Sequence, residues 1–168
     1  MWPRRPLACL AALALAASAC GDDTSPAPSG GGADAGPVDT GVAVTCQNDG
    51  RVDTYVANLA KASPSGAVKV TLVSSDPGPP VRGTNAWVLK ITDGAGAPIS
   101  NAALTVTPFM PDHGHGTSVK PTVTAGADGR YDVANVYLFM PGVWRVTVGV
   151  PTAAGGSDTA TFFFCIAG

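Results

Sequence analysis

The sequence of 168 residues contains no glutamate, only two histidines, and no apolar run long enough to span a bilayer. All twelve acidic residues are aspartates, so few side chains are available as general acids or bases. Positive charge is not in excess either, since the formal net charge is −2. Proteins that bind nucleic acids need a basic surface to contact phosphates. We therefore expect no nucleic-acid partner.

The N-terminus, MWPRRPLACLAALALAASAC, has the organisation of a secretory signal. Two arginines precede an apolar stretch from Leu7 to Ala17, and small residues then lead to Cys20. This ending resembles a bacterial lipobox, in which cleavage precedes a cysteine that carries the lipid. We predict a signal peptide over residues 1–19, lipidation of Cys20, and a location in the cell envelope, facing the periplasm or the extracellular side. Ordinary cleavage after Ala-x-Ala, which leaves Cys20 as a thiol, is the alternative.

Residues 20–45 are dominated by glycine, alanine, proline, serine and aspartate. Such a segment cannot bury enough apolar surface to offset the entropy of ordering, which predicts a disordered tether. The remaining residues, 46–168, are sufficient for one folded domain.

After the tether, short runs with period two alternate with turns rich in glycine and proline. The predicted strands are Ala67–Val73, Asn85–Thr92, Asn101–Phe109, Ser118–Thr124, Arg130–Phe139, Val143–Val150 and Asp158–Ile166. This pattern predicts an all-β protein, an immunoglobulin-like antiparallel β-sandwich of about seven strands. The segment Val52–Ala62 fits either a short helix or an additional edge strand.

Alternation along the predicted strands assigns side chains to the core or to the surface. Trp87 and Trp144 fall in the apolar phase of their strands, which predicts that both are buried. In the last strand Phe162 and Phe164 form the inward set. Cys165 then points outward, toward any flanking segment.

The four cysteines have different predicted fates. Cys9 leaves with the signal peptide and Cys20 carries the lipid, so Cys46 and Cys165 remain as a pair in an oxidising compartment. A disulfide between them would join the start of the domain to its last strand. The alternative is that the two thiols bind a metal, although neither has a second cysteine at C-x-x-C spacing.

The rare methionines and histidines of the domain concentrate in two stretches, TPFMPDHGHGTS and LFMPGVW. If the strand that ends at Phe109 runs up the sandwich, the next runs down and the strand that ends at Phe139 runs up again. Met110 and Met140 then lie at the same pole. The argument fails if the chain folds back at Asn135.

Thioether and imidazole groups together are typical of soft-metal sites. Methionine suits Cu(I) in an oxidising compartment, and imidazole binds copper in either oxidation state. We therefore predict a copper site, with Cu(I) favoured, formed by Met110, His113, His115 and Met140. Asp112 is a candidate for fixing the tautomer of an imidazole. The alternative is that both methionines fill the core and that the His-Gly-His loop is a solvated or structural loop.

The stretch PFMPDHGHG, followed by GADGRYDVANVYLFMPGVWRVTV, resembles the YtkA-like domain family, which is related to the FixH-like proteins. The resemblance covers about residues 76–166. It implies a β-sandwich outside the cytoplasm, often on a lipoprotein, with suspected roles in copper handling or cytochrome oxidase assembly. Met110, His113, His115 and Met140 stand at the positions of the family's methionine and histidine residues.

Three classes of function compete. The first is a lipid-anchored copper chaperone or scavenger, held at a membrane and with a protein partner in copper handling. The second is a non-catalytic structural or interaction module that uses the His-Gly-His loop for recognition. An enzyme with a relay of Ser118, a histidine and Asp112 is the third, but residues so close together in a glycine-rich loop seldom have the required geometry. We predict that the protein is not an enzyme.

Overall fold

The computed structural model describes residues 46–152 and 155–168. The predicted signal peptide (residues 1–19), Cys20 and the rest of the predicted tether (20–45) lie outside the described residues. The strands are β1 (Leu59–Ala62), β2 (Val68–Asp76), β3 (Gly83–Asp93), β4 (Thr105–Met110), β5 (His115–Gly116), β6 (Thr122–Ala125), β7 (Arg130–Leu138), β8 (Gly142–Pro151) and β9 (Ser157–Ile166). None of the described segments forms a helix long and apolar enough to cross a membrane.

Two antiparallel sheets form the sandwich. One sheet has five strands in the order β1-β2-β3-β7-β6, and the other has four in the order β5-β4-β8-β9. The predicted all-β, immunoglobulin-like sandwich is confirmed, and each of the seven predicted runs corresponds to a strand. Two further strands, β1 and β5, are short edge strands. The ambiguous segment Val52–Ala62 therefore ends in an edge strand.

The core between the sheets is aromatic and aliphatic, as the alternation predicts. Trp87 on β3 is 1% exposed and Trp144 on β8 is fully buried. The ring of Trp87 meets Phe162 and Phe164 edge-on, with ring centroids 6.2 and 5.7 Å apart. Such edge-to-face pairs add to the stabilisation from burial alone. Both tryptophans and the inward face of β9 are therefore in the core.

Strand β7 runs continuously through Asn135, so the chain does not fold back there. Asn135 has a φ of 61°, a conformation that asparagine tolerates better than most residues. The pairing with β3 shifts at this point, from Trp87↔Val133 to Asn85↔Val136, which marks a β-bulge. The strand therefore carries Phe139 and Met140 to the pole that the counting of strand directions predicts.

The N-terminal segment of the domain covers the free edge of β9. Cys46 and Cys165 form a disulfide, which confirms the predicted pairing. Seven residues later, the Asp53 backbone N–H donates to the carbonyl of Phe163, and the Phe163 N–H donates to the Asp53 carboxylate, each at 2.9 Å. An unpaired strand edge would otherwise be free to pair with another chain. The N-terminal segment is thus fixed to the four-stranded sheet at two points.

Candidate functional site

The histidine loop is a tight hairpin between β4 and β5. Met110 pairs with His115 in the sheet register, and the backbone N–H groups of His113 and Gly114 both donate to the Met110 carbonyl, at 3.3 and 2.9 Å. Gly114 has a φ of 69°, which glycine adopts without the steric penalty of a side chain. The sequence Met-Pro-Asp-His-Gly-His therefore closes a turn that brings two imidazoles to one end of the sandwich.

The two imidazoles are neighbours with different environments. Their ring centroids are 5.7 Å apart; His113 is exposed and His115 is half-buried. The His115 ring stacks on Phe139, with centroids 5.6 Å apart and an interplanar angle of 26°. Nδ1 of His115 lies 3.2 Å from the carbonyl oxygen of Gly116. A proton on Nδ1 would be donated to that oxygen, which leaves Nε2 free to bind a ligand.

The turn between β7 and β8 brings Met140 to the same place. The indole N–H of Trp144 donates to the Met140 carbonyl at 2.9 Å, and the Arg82 Nε–H donates to the Phe139 carbonyl at 3.0 Å. Trp144 also meets the Phe139 ring edge-on, with centroids 5.6 Å apart. Both carbonyls of the turn are thus fixed by side chains from outside it, which limits the positions that the Met140 thioether can reach.

A shallow groove of about 470 Å³ lies between the hairpin and this turn. Its lining consists of His115, Gly116, Ser118, Tyr137, Phe139 and Met140. A larger groove, of about 640 Å³, lies between β4 and β6, but its lining contains no histidine and no methionine. The volume of a groove does not by itself indicate a chemical function. We therefore place the candidate site in the smaller groove, which contains the imidazole of His115 and the thioether of Met140.

Met110 differs from the other three predicted ligands. Its side chain is fully buried and belongs to the hydrophobic core, whereas Met140 is half-buried and lines the groove. A Cβ placed on Gly142 would come within 2.9 Å of the Met110 Cε, so Met110 packs directly beneath the turn that carries Met140. Met110 therefore fits the alternative in which a methionine fills the core. The assignment of His113, His115 and Met140 as metal ligands stays a prediction, and so does that of Met110, for which burial favours the alternative of a core residue.

The sequence reasoning did not select the aromatic side chains of the groove. Tyr137 stacks on Phe139 with ring centroids 6.0 Å apart, and Phe139 stacks in turn on His115. The available signal was the repeated tripeptide Phe-Met-Pro, which contains Phe139 as well as Met140. Within the described residues, no group of three or more histidine, cysteine, aspartate or glutamate side chains could hold a metal ion.

The amino-acid sequence assigns this chain to a family. The sequence model of a family described as YtkA-like matches residues 63–149, which is more than half of the chain. This chain belongs to the YtkA-like family. No curated protein and no solved structure matches it. The matched span of this YtkA-like domain contains the histidine loop and the Met140 turn, but both disulfide cysteines lie outside it.

Asp112 of this YtkA-like domain is held by an arginine outside the matched span. Arg51 donates from Nη1 and Nη2 to the two carboxylate oxygens of Asp112, at 2.7 and 2.8 Å. It also donates from Nε and Nη2 to Asp49, at 2.9 and 2.6 Å. The predicted role of Asp112, fixing the tautomer of an imidazole, has no hydrogen bond to support it within the described residues, because both carboxylate oxygens face Arg51.

We predict that acid loosens this cluster. The hydrogen bonds from Arg51 lower the pKa of Asp49 from its ordinary 3.8 to about 2, and they lower the pKa of Asp112 as well. Because folding depresses the pKa of Asp49, its ion pair is complete above about pH 4 and is lost as the pH falls through about 2. The pKa of Asp112 is depressed in the same direction, so its ion pair is also lost on the acid side. An NMR titration of the carboxyl carbons tests this. A midpoint for Asp49 near its ordinary value in the wild type would contradict the ion pair, and Arg51→Met supplies the reference in which that value is expected.

Proposed function

We propose that this YtkA-like protein is a lipid-anchored copper-binding protein of the cell envelope, a chaperone or scavenger that favours Cu(I). The observation that carries the proposal is the convergence of His113, His115 and Met140 at one pole. His113 lies beside His115, and His115 shares a groove with Met140. Only two histidines and two methionines occur beyond the predicted signal peptide. The proximity of three of these four rare side chains at one pole argues against a chance arrangement.

The spacing of the two imidazoles suits a shared ion. An imidazole nitrogen binds a metal at about 2.0–2.1 Å and lies about 1.1 Å from its ring centroid, so two rings that share one ion have their centroids at most about 6.4 Å apart. The observed separation of His113 and His115 is 5.7 Å, within that limit. This spacing corresponds to a wide angle between the two nitrogens at the ion, as in a low-coordinate site.

The groove favours the softer oxidation state. The thioether of Met140 is a donor for Cu(I) that no disulfide chemistry removes in an oxidising compartment. Beside it, the rings of Tyr137 and Phe139 supply an apolar wall without a carboxylate. Hard cations such as Mg²⁺ and Ca²⁺ are bound mainly through carboxylate oxygens, and the groove lining contains no carboxylate. The donor set therefore supports copper.

Binding is a better account of the site than catalysis. Ser118 and His115 line the same groove, but the carboxylate of Asp112 is engaged by Arg51 and does not orient a histidine. A serine-histidine-aspartate relay requires that orientation. The proposed role is therefore to hold and transfer an ion, with a protein partner in copper handling and a suspected link to cytochrome oxidase assembly. Lipid on Cys20 would keep the domain at the membrane.

Metal analysis tests the proposal directly. The protein is loaded anaerobically with Cu(I), and separately with Cu(II) and Zn(II), and then desalted. We expect one copper per chain and an affinity that falls by about tenfold or more in His113→Ala, His115→Ala and Met140→Leu. Met110→Leu is the matched control, because it removes a buried sulfur of the same residue type at nearly constant volume. Retention of no metal by the wild type, or equal affinities in a competition with a Cu(I) chelator, would refute the proposal.

A second candidate function, an interaction module, is favoured by the half-exposed aromatic series of Tyr137, Phe139 and His115. Aromatic side chains are enriched where proteins bind one another. This function predicts that a partner captured through the groove stays bound in the presence of a copper chelator, and that Met140→Leu leaves the capture unchanged.

A further inference from the structure

Arg51 forms the centre of a charged clamp between two segments that are distant in sequence. Its guanidinium makes a two-pronged contact with Asp112 and another with Asp49. The Arg51 backbone N–H also donates to Asp49, at 2.9 Å. A planar guanidinium fits a carboxylate in this paired geometry, which fixes orientation as well as distance. We define the Arg51 clamp as Asp49, Arg51 and Asp112.

The clamp holds the histidine loop at the residue before His113. Strand β5 consists of two residues, and its pairing with β4 is limited to Phe109↔Gly116 and Met110↔His115. A hairpin with so short a ladder has few backbone contacts to keep it ordered. On its exposed side, the loop is linked by the ion pair at Asp112 to the N-terminal segment of the domain.

The other end of the clamp is anchored by the disulfide. Cys46 is bonded to Cys165 on β9, and the backbone N–H of Asp49 donates to the Cys46 carbonyl at 3.1 Å. On the other side of Arg51, Asp53 is hydrogen-bonded to Phe163 in both directions. Arg51 therefore lies between two attachment points on the same strand and is presented to Asp112 from a fixed backbone.

We propose that Arg51 is the positioning residue of the metal loop and that the Cys46–Cys165 disulfide acts on the loop through it. The inference rests on the proposed copper site. A loop already ordered in its binding conformation loses less entropy when an ion arrives, so a released loop binds more weakly. The hydrogen-bond partners of Arg51 are Asp49 and Asp112, so its effect on the proposed metal ligands passes through Asp112. The disulfide and the metal site, which lie on different sheet edges, are thereby coupled.

The test combines amide hydrogen exchange with copper affinity on the full chain. The readout is exchange at His113 and Gly114, whose N–H groups are bonded to the Met110 carbonyl. In Arg51→Met, exchange at these amides should rise severalfold and Cu(I) affinity should fall by about two- to fivefold. Arg51→Lys keeps the charge but not the two-pronged contact, so it should restore exchange and affinity only in part.

The matched control is Arg130→Met. Arg130 pairs with Asp132 at 2.9 Å, and both side chains are more than half exposed, but the pair lies at the start of β7, away from the loop. Its loss should change neither exchange at residues 112–116 nor copper affinity. The double variant Cys46→Ser/Cys165→Ser should reproduce the increased exchange of Arg51→Met at the histidine loop, under conditions where the core amides stay protected.

The outcomes separate this inference from the proposed function. Unchanged exchange at the loop in Arg51→Met would overturn the positioning role, and unchanged exchange in the cysteine variant alone would overturn the coupling to the disulfide. If wild type retained no copper while Arg51→Met still increased loop exchange, the proposed function would fail and the positioning of the loop by Arg51 would be upheld. A fall in affinity without a change in exchange would also overturn the inference, because the effect would not pass through loop order.

Discussion

Removal of the Cys46–Cys165 disulfide should lower the free energy of unfolding by about 5 kcal/mol, as expected for so long a closed loop. The two cysteines are 119 residues apart, so the bond restricts nearly the whole unfolded domain. In the folded state it also holds the N-terminal segment on the edge of β9. Since small domains have a total stability of about 5–15 kcal/mol, this loss is a large fraction of it.

Urea denaturation with and without reductant measures this effect. With a slope of about 2 kcal/mol per molar, the midpoint should fall by about 2 M or more on reduction. The double variant Cys46→Ser/Cys165→Ser should have the lower midpoint both with and without reductant. It therefore controls for any effect of the reductant other than cleavage of the disulfide. Equal midpoints for the oxidised and reduced wild type would show that the bond does not form in solution or does not restrain the chain.

Most of the sandwich was predictable because its strands follow a simple period. Every second residue is buried from 85 to 91 in β3 and from 142 to 150 in β8, so the positions of Trp87 and Trp144 in this alternation indicate that both face the core. Of the two short edge strands, β1 lies in the segment that fits either a helix or an edge strand by sequence, and only β5 was not predicted, because two residues show no period. Strand β5 consists of His115 and Gly116, residue types with no strand preference, and it exists because the hairpin turn brings it beside β4.

The location of the site was predictable, but the roles of its residues were only partly so. Counting strand directions brings Met110 and Met140 to one pole. Their different exposure depends on packing, because Met110 fills the space that Gly142 leaves open beneath the turn. No periodicity predicts the contact of Arg51 with Asp112, since the residues are 61 positions apart and both are exposed loop residues. Such contacts follow only from the three-dimensional path of the chain.

Substitution of Trp144 by alanine should lower the free energy of unfolding by about 3–5 kcal/mol. The side chain is fully buried, meets Phe139 edge-on and donates its indole N–H to the Met140 carbonyl. Alanine would leave a cavity in the core and an unpaired carbonyl in the turn. If the domain remains folded, its copper affinity should fall as well, because the turn that carries Met140 loses this restraint.

Thermal and urea denaturation of three variants separate these contributions. Trp144→Phe keeps an aromatic ring in the core but removes the N–H donor, so it should cost less than Trp144→Ala while still releasing the turn. Tyr137→Ala is the control for loss of an aromatic side chain at the same pole. Tyr137 is only half-buried, so its removal should have the smallest effect of the three. A midpoint for Trp144→Ala close to that of Tyr137→Ala would show that Trp144 is not a core residue, and the arrangement of β8 against the five-stranded sheet would then be wrong.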